Sequence, residues 1–146
     1  MYTAIIEIPK DSDRRIHLSF DKSSFVDLGP IKEHVPVNNG IMPVHYGFID
    51  DTINKKEGDE VDVIVFSNKS YKTGDKVEIE ILGILKRQDG DDKIIARDDT
   101  VSNDVFETLP KNEHELIVNF LGYKSSIIEI GLKDHALEYL KNSISK

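Results

Sequence analysis

The chain has 146 residues, enough for one domain with its own core, and a net charge of −8 from 27 acidic and 19 basic side chains. It has no cysteine, which excludes disulfide scaffolds, thiolate zinc sites and cysteine nucleophiles. The acidic balance argues against nonspecific binding to nucleic acid, which rests on cationic contacts with phosphate. No apolar run approaches the roughly 20 residues that cross a bilayer, so no membrane partner is expected. The first residues lack a basic region and meet Glu7 early, which predicts no secretory leader and a cytoplasmic protein.

In chain order, apolar and alternating runs predict strands at 2–8, 16–20, 25–28, 46–49, 61–66, 77–86, 93–97 and 126–130. Asp21-Lys22-Ser23-Ser24 and Asp89-Gly90-Asp91-Asp92 have the polar composition of hairpin turns. Residues 29–41, with Pro30, Pro36 and Asn38-Asn39-Gly40, read as a long irregular excursion, and such excursions are often functional. Along 77–86, Val77, Ile79 and Ile81 are expected on one face and Lys76, Glu78 and Glu80 on the other. Two helices come last. The first opens near Leu109-Pro110, carries Leu116, Ile117, Phe120 and Leu121 on one stripe, and ends at Gly122. The second covers 132–144, with Ala136, Leu137, Leu140 and Ile144 at helical spacing. Short strands followed by two amphipathic helices predict one α+β domain over 1–146, a small closed or nearly closed barrel with the helices packed outside.

The chemistry concentrates in Glu57-Gly58-Asp59-Glu60-Val61-Asp62-Val63-Ile64-Val65. Val61, Val63 and Val65 should pack on one side of a strand, with Asp62 on the other. Glu57 and Asp59 have the opposite parity to Asp62, so all three converge only if the chain bends near Gly58. Converging carboxylates repel unless a cation lies between them, and a hard cation such as Mg²⁺ takes oxygen ligands. On these residues alone, a solvated acidic turn is the alternative. The five histidines, at 17, 34, 45, 114 and 135, show no paired metal spacing, and those at 114 and 135 are expected at helix surfaces.

Four other segments align with this run: Ile5-Ile6-Glu7-Ile8-Pro9, Met42-Pro43-Val44-His45-Tyr46-Gly47-Phe48-Ile49, Asp89-Gly90-Asp91-Asp92-Lys93 and Gly122-Tyr123-Lys124. Their identity and order resemble soluble, magnesium-dependent inorganic pyrophosphatases of the single-domain type, over residues 5–140. The resemblance implies a five-stranded, OB-like barrel with extra hairpins and two flanking C-terminal helices. It also implies hydrolysis of pyrophosphate using several Mg²⁺ ions, with Mn²⁺ or another divalent cation as a substitute, in a homo-oligomer. By position, Glu57, Asp62, Asp89, Asp91 and Glu7 match metal-site acids. Asp59 matches the general base beside the attacking water. Tyr46, Lys93, Tyr123 and Lys124 match groups that hold phosphate, with Tyr46 and Lys93 also acting in catalysis.

The chain departs from the family pattern at several positions. The family's Asp-Gly-Asp is Glu57-Gly58-Asp59 here, and the longer acid moves a carboxylate by roughly a bond length. A lysine and a glutamate expected after the first strand fall on His17 and Ser19, and Arg15 on the same face as His17 is the candidate replacement cation. An arginine that clasps phosphate ahead of the tyrosine turn has only Lys32 and His34 as candidates, neither a planar guanidinium. The shortened acidic hairpin leaves the choice among Asp89, Asp91 and Asp92 open. The metal half of the site reads as intact and the phosphate half as thinned. A phosphohydrolase for another phosphoanhydride, such as a nucleotide, and a non-catalytic metal- or phosphate-binding homologue are the rival readings.

Overall fold

The structure, a computed structural model, describes residues 2–55, 58–102 and 105–144. The chain runs β1 (Tyr2–Ile8), β2 (Arg14–Leu18), β3 (Phe25–Pro30), 3₁₀ turns at Ile31–Glu33 and Val37–Gly40, β4 (His45–Ile49), β5 (Asp62–Phe66), β6 (Lys76–Arg87) and β7 (Lys93–Arg97). It ends with α1 (Val105–Thr108), α2 (Lys111–Leu121), β8 (Ile127–Leu132) and α3 (Lys133–Lys141). Neighbouring strands follow the order β1-β4-β5-β7-β6, and β6 pairs back onto β1, so five strands close a ring. Closure leaves the ring itself without a free edge. Within the ring only β5 and β7 are parallel. β8 extends β6 beyond the ring, and β2–β3 form a separate hairpin.

Strand alternation divides the apolar side chains into two clusters. One joins Ala4, Ile6, Val63, Val65, Val77, Ile79, Ile81 and Ile94 to Ala136 and Leu140 of α3. The other joins Ile8, Tyr46, Ile64, Leu85 and Ile95 to Phe106 of α1 and to Ile117, Phe120 and Leu121 of α2. Each fully buried aliphatic side chain contributes about 1.5–3 kcal/mol. At Gly47 any Cβ would lie 1.9 Å from the Ile5 carbonyl oxygen, so only glycine lets β4 approach β1 this closely.

The expected strands all form, with shifted ends. β2 starts at Arg14 and stops at Leu18, and Phe20 stands fully exposed at the hairpin. Residues 29–41 contain the two 3₁₀ turns, with Asn38 and Asn39 in the left-handed region (φ 54° and 56°) that asparagine tolerates. The four residues of α1 are too few to show a helical period in sequence. α3 ends at Lys141, so Ile144 lies beyond it, half exposed and bridged to Thr52. His114 is half-buried against the Phe106 ring at 4.5 Å rather than at the surface, whereas His135 is exposed.

Candidate active site

Adjacent strands β4, β5 and β7 bring Tyr46, Asp62 and Lys93 together. Asp62 and Lys93 are register partners across the parallel pair, and the Lys93 ammonium donates to Asp62 Oδ2 at 2.7 Å. The Tyr46 hydroxyl donates to the same oxygen at 2.9 Å, and Lys93 Nζ lies 5.3 Å from the centre of the Tyr46 ring. Asp91, on the turn entering β7, pairs with Lys93 at 3.0 Å. A lysine after a hairpin is ordinarily solvated, yet Lys93 is only 2 % exposed. Burial opposes its charge, but Tyr46, Asp62 and Asp91 outweigh that cost and raise its pKa above the ordinary value. Burial pushes Asp62 up to about 6 against the pull of Lys93, with Asp91 adding to the rise. Burial, then Asp62, raises the Tyr46 phenol well above its usual range, so it stays a hydrogen-bond donor.

Two pockets meet at this cluster. The acidic pocket, about 400 Å³, is lined by Glu7, His17, Asp59, Glu60 and Asp62 among others. Glu7 is the extra residue of a β-bulge in β1, because Ile6 and Ile8 face consecutive residues Gly47 and Tyr46. Bulges re-aim side chains, and this one leaves Glu7 5 % exposed with its Oε2 accepting the Leu18 amide at 2.8 Å. His17 Nδ1 lies 3.7 Å from the same oxygen. Lys22 of the β2–β3 hairpin reaches Glu60 at 2.5 Å. Glu57 lies outside the described residues.

The second pocket, about 230 Å³, is cationic. Arg15, Arg87, Lys93 and Lys124 line it against one carboxylate, Asp91, with His17 and His34 also present. Arg15 Nη1 lies 2.9 Å from His34 Nε2, and His34 Nδ1 lies 3.5 Å from Lys124 Nζ. An acidic protein thus keeps a positive cleft, where local cations draw an anion that the overall charge repels.

Among the sequence candidates, Tyr46, Asp62, Asp91, Lys93, Arg15, His17 and Lys124 gather at this junction, and Glu7 and Asp59 line the adjoining acidic wall. Tyr123 is 52 % exposed and lines a shallower groove with Asp89 and Ser125 instead. Both Asp89 oxygens are engaged: Oδ2 accepts from Arg87 at 2.6 Å and Oδ1 from the Asp91 amide at 3.0 Å. Asp92 is buried and accepts the Arg87 amide at 2.9 Å. Lys32 is exposed and absent from the cleft lining, whereas His34 faces it.

Two residues escaped the sequence reading. Arg87 shares strand parity with the buried Leu85, a signal available beforehand. Asn54 left no such trace: its side-chain amide donates to the Gly90 carbonyl at 3.1 Å, and its backbone amide donates to the Asp59 carbonyl at 2.6 Å. It ties the two acidic turns together.

The acidic pocket offers the carboxylate oxygens of Glu7, Asp59, Glu60 and Asp62, the donor type a hard divalent cation prefers, beside the imidazole of His17. Both bonds to Asp62 end on Oδ2, and a carboxylate has lone pairs for more partners. Among the described residues no three acidic or histidine groups already converge on one point.

A closed five-stranded ring carrying a cation-lined cleft beside an acidic pocket defines a small β-barrel protein with two neighbouring pockets of opposite charge. The family model for inorganic pyrophosphatase matches residues 4–129, and the chain belongs to that family. An inorganic pyrophosphatase of Neisseria meningitidis is 34 % identical over 116 residues, 76 % of this chain and 62 % of that protein. One from Ureaplasma parvum is 32 % identical over 94 residues, 62 % of this chain and 49 % of that protein. The matched stretch thus spans about half to three fifths of these relatives. The crystal structure of the Ehrlichia chaffeensis inorganic pyrophosphatase superposes with a TM-score of 0.82 at 23 % identity, covering 97 % of this chain and 92 % of that one, which shows the shared fold.

Proposed function

We propose that this chain hydrolyses inorganic pyrophosphate to two phosphates with Mg²⁺, or a similar divalent cation, as cofactor. The observation that carries the reading is the junction of Tyr46, Asp62 and Lys93, where an oxygen-lined pocket meets a cation-lined one. Phosphoryl transfer demands little covalent chemistry from a protein and relies on positioning and on neutralising charge.

In this scheme Asp62, Asp91 and, beyond the described residues, Glu57 hold the cation, with Glu7 at the pocket floor. Bound Mg²⁺ supplies charge neutralisation across the phosphate oxygens and lowers the pKa of the attacking water. Asp59, on the turn secured by Asn54, takes a proton from that water as its oxygen bonds to one phosphorus. The bridging P–O bond breaks, its electron pair passes to the leaving phosphate, and that oxygen then takes up a proton. Lys93 and Lys124, with Arg15 and His17, hold the negative oxygens, and the Tyr46 hydroxyl orients Asp62. Tyr123 guards the rim near Lys124.

The test is phosphate release from pyrophosphate with Mg²⁺, with and without chelator, beside an Asp59→Asn protein and an ATP control. Chelator-sensitive release from pyrophosphate, lost in Asp59→Asn, is expected. Release from ATP alone would transfer the reading to a nucleotide phosphohydrolase. No release from either by a folded, Mg²⁺-binding protein would leave a binding role.

A further inference from the structure

We propose that Arg87 is the guanidinium that grips a phosphate group of the substrate, and that Asp89 positions Arg87 instead of ligating metal. The proposal rests on the pyrophosphate reading and supplies the clasp missing from the sequence.

Arg87 closes β6 and lines the cationic cleft beside Asp91 and Lys93. Its side chain is 13 % exposed, so its charge is held at the cleft rather than dispersed in solvent. Among the described residues Nη2 has an acceptor, Asp89, while Nε is buried without one. A guanidinium carries five donors in a fixed plane, suited to paired phosphate oxygens, and Asp89 occupies only one edge of it. Asp89 in turn has both oxygens committed, one to Arg87 and one to the Asp91 amide. That arrangement fixes the guanidinium plane, and Asp89 lines the outer groove with Tyr123 rather than the acidic pocket.

Across the same cleft the histidine tautomer points to an anion. Arginine only donates, so His34 Nε2 must accept from Arg15, and the neutral ring then carries its proton on Nδ1. Nδ1–H therefore faces the Lys124 ammonium at 3.5 Å, donor against donor. An anionic oxygen between them satisfies both. Arg87 on one element and the Arg15–His34–Lys124 row on others thus surround one space whose carboxylate among the described residues, Asp91, is already paired with Lys93.

The experiment compares wild type with Arg87→Met, Arg87→Lys and Asp89→Asn, reading KM, kcat and the Mg²⁺ concentration for half-maximal rate. Calorimetry with imidodiphosphate and Mg²⁺ reads binding without turnover. Arg87→Met should raise KM and weaken imidodiphosphate binding by roughly 10- to 100-fold, the range for a lost charge-assisted bond, with the Mg²⁺ midpoint unchanged. Arg87→Lys should recover part of that loss. Asp89→Asn should move KM the same way by a smaller factor, again without a Mg²⁺ shift. Unchanged KM and binding in Arg87→Met, or an Asp89→Asn effect confined to the Mg²⁺ midpoint, would overturn the proposal. If Arg87→Met does not fold, Arg87→Lys and Asp89→Asn carry the same comparison. If wild type fails to cleave pyrophosphate, the proposed function falls. Imidodiphosphate binding then judges Arg87 alone: weaker binding in the variant supports it, and equal or absent binding in both overturns it.

Discussion

The acidic and cationic pockets share a wall but are assembled in opposite ways. Among the described acids of the first, Asp59, Glu60 and Asp62 come from four consecutive positions at the mouth of β5, and Glu7 joins them from β1. The cations come from β2, β6, β7 and the segment after α2, and they meet only through tertiary packing. A site made from one short stretch survives small changes of strand register. A site drawn from four elements depends on every pairing between them.

That contrast can be tested from its strongest effect downward. Asp59→Asn deletes the proposed base at constant size, so kcat should fall roughly 10²- to 10⁴-fold with an unchanged circular dichroism spectrum. Turnover at the wild-type level would remove Asp59 from that role. Lys93→Met strikes the shared wall, stranding Asp62 and Asp91. Urea melts should show a loss of about 3 kcal/mol, the low end for a broken buried pair because both acids keep some access to water. A melt matching wild type would mean that the pair contributes no net stability. Glu57→Asp should lower the Mg²⁺ concentration for half-maximal rate by a few-fold, roughly, because it shortens the ligand. A titration shifted the other way would show that the longer acid suits this pocket.

The smallest effect lies outside both pockets. His45 is 3 % exposed; its Nδ1 accepts the Lys10 amide and its Nε2 donates to the Lys69 carbonyl, each at 3.0 Å, so the ring is neutral. Burial lowers its pKa, and the folded protein takes up that proton less readily than the unfolded chain. Its contribution to stability is therefore complete above the unfolded value of about 6.5 and declines as pH falls through it. Melts of wild type and His45→Gln at about pH 7.5 and 5.5, either side of that value, should show the larger acid loss in wild type. Equal losses would assign the pH dependence to other groups.

Strand alternation made most of the fold legible beforehand: Val77, Ile79 and Ile81 are buried while Lys76, Glu78 and Glu80 are exposed. The limits of β2 and α3 were misplaced by a few residues because terminal residues such as Phe20 and Ile144 are apolar yet find no core to enter. In the site, the acids of 59–62 were visible as a cluster, since they are neighbours in the chain. The buried Lys93–Asp62 pair was not visible in this way, because its members lie thirty-one positions apart. Asn54 passed unnoticed for the same reason, its partner Gly90 lying on another turn, whereas Arg87 was missed although its parity with Leu85 could be read from the chain.

The amino-acid sequence by itself determined the strands, the two longer helices, the apolar stripes and the acidic bend, because each depends on periodicity or on residues within one turn of chain. Only the tertiary structure decided which cations face the cleft, that a bulge turns Glu7 inward, and that Lys93 is buried against Asp62. Those choices arise from strand register and packing, which bring distant donors and acceptors within 3 Å and leave each buried charge to find its nearest partner.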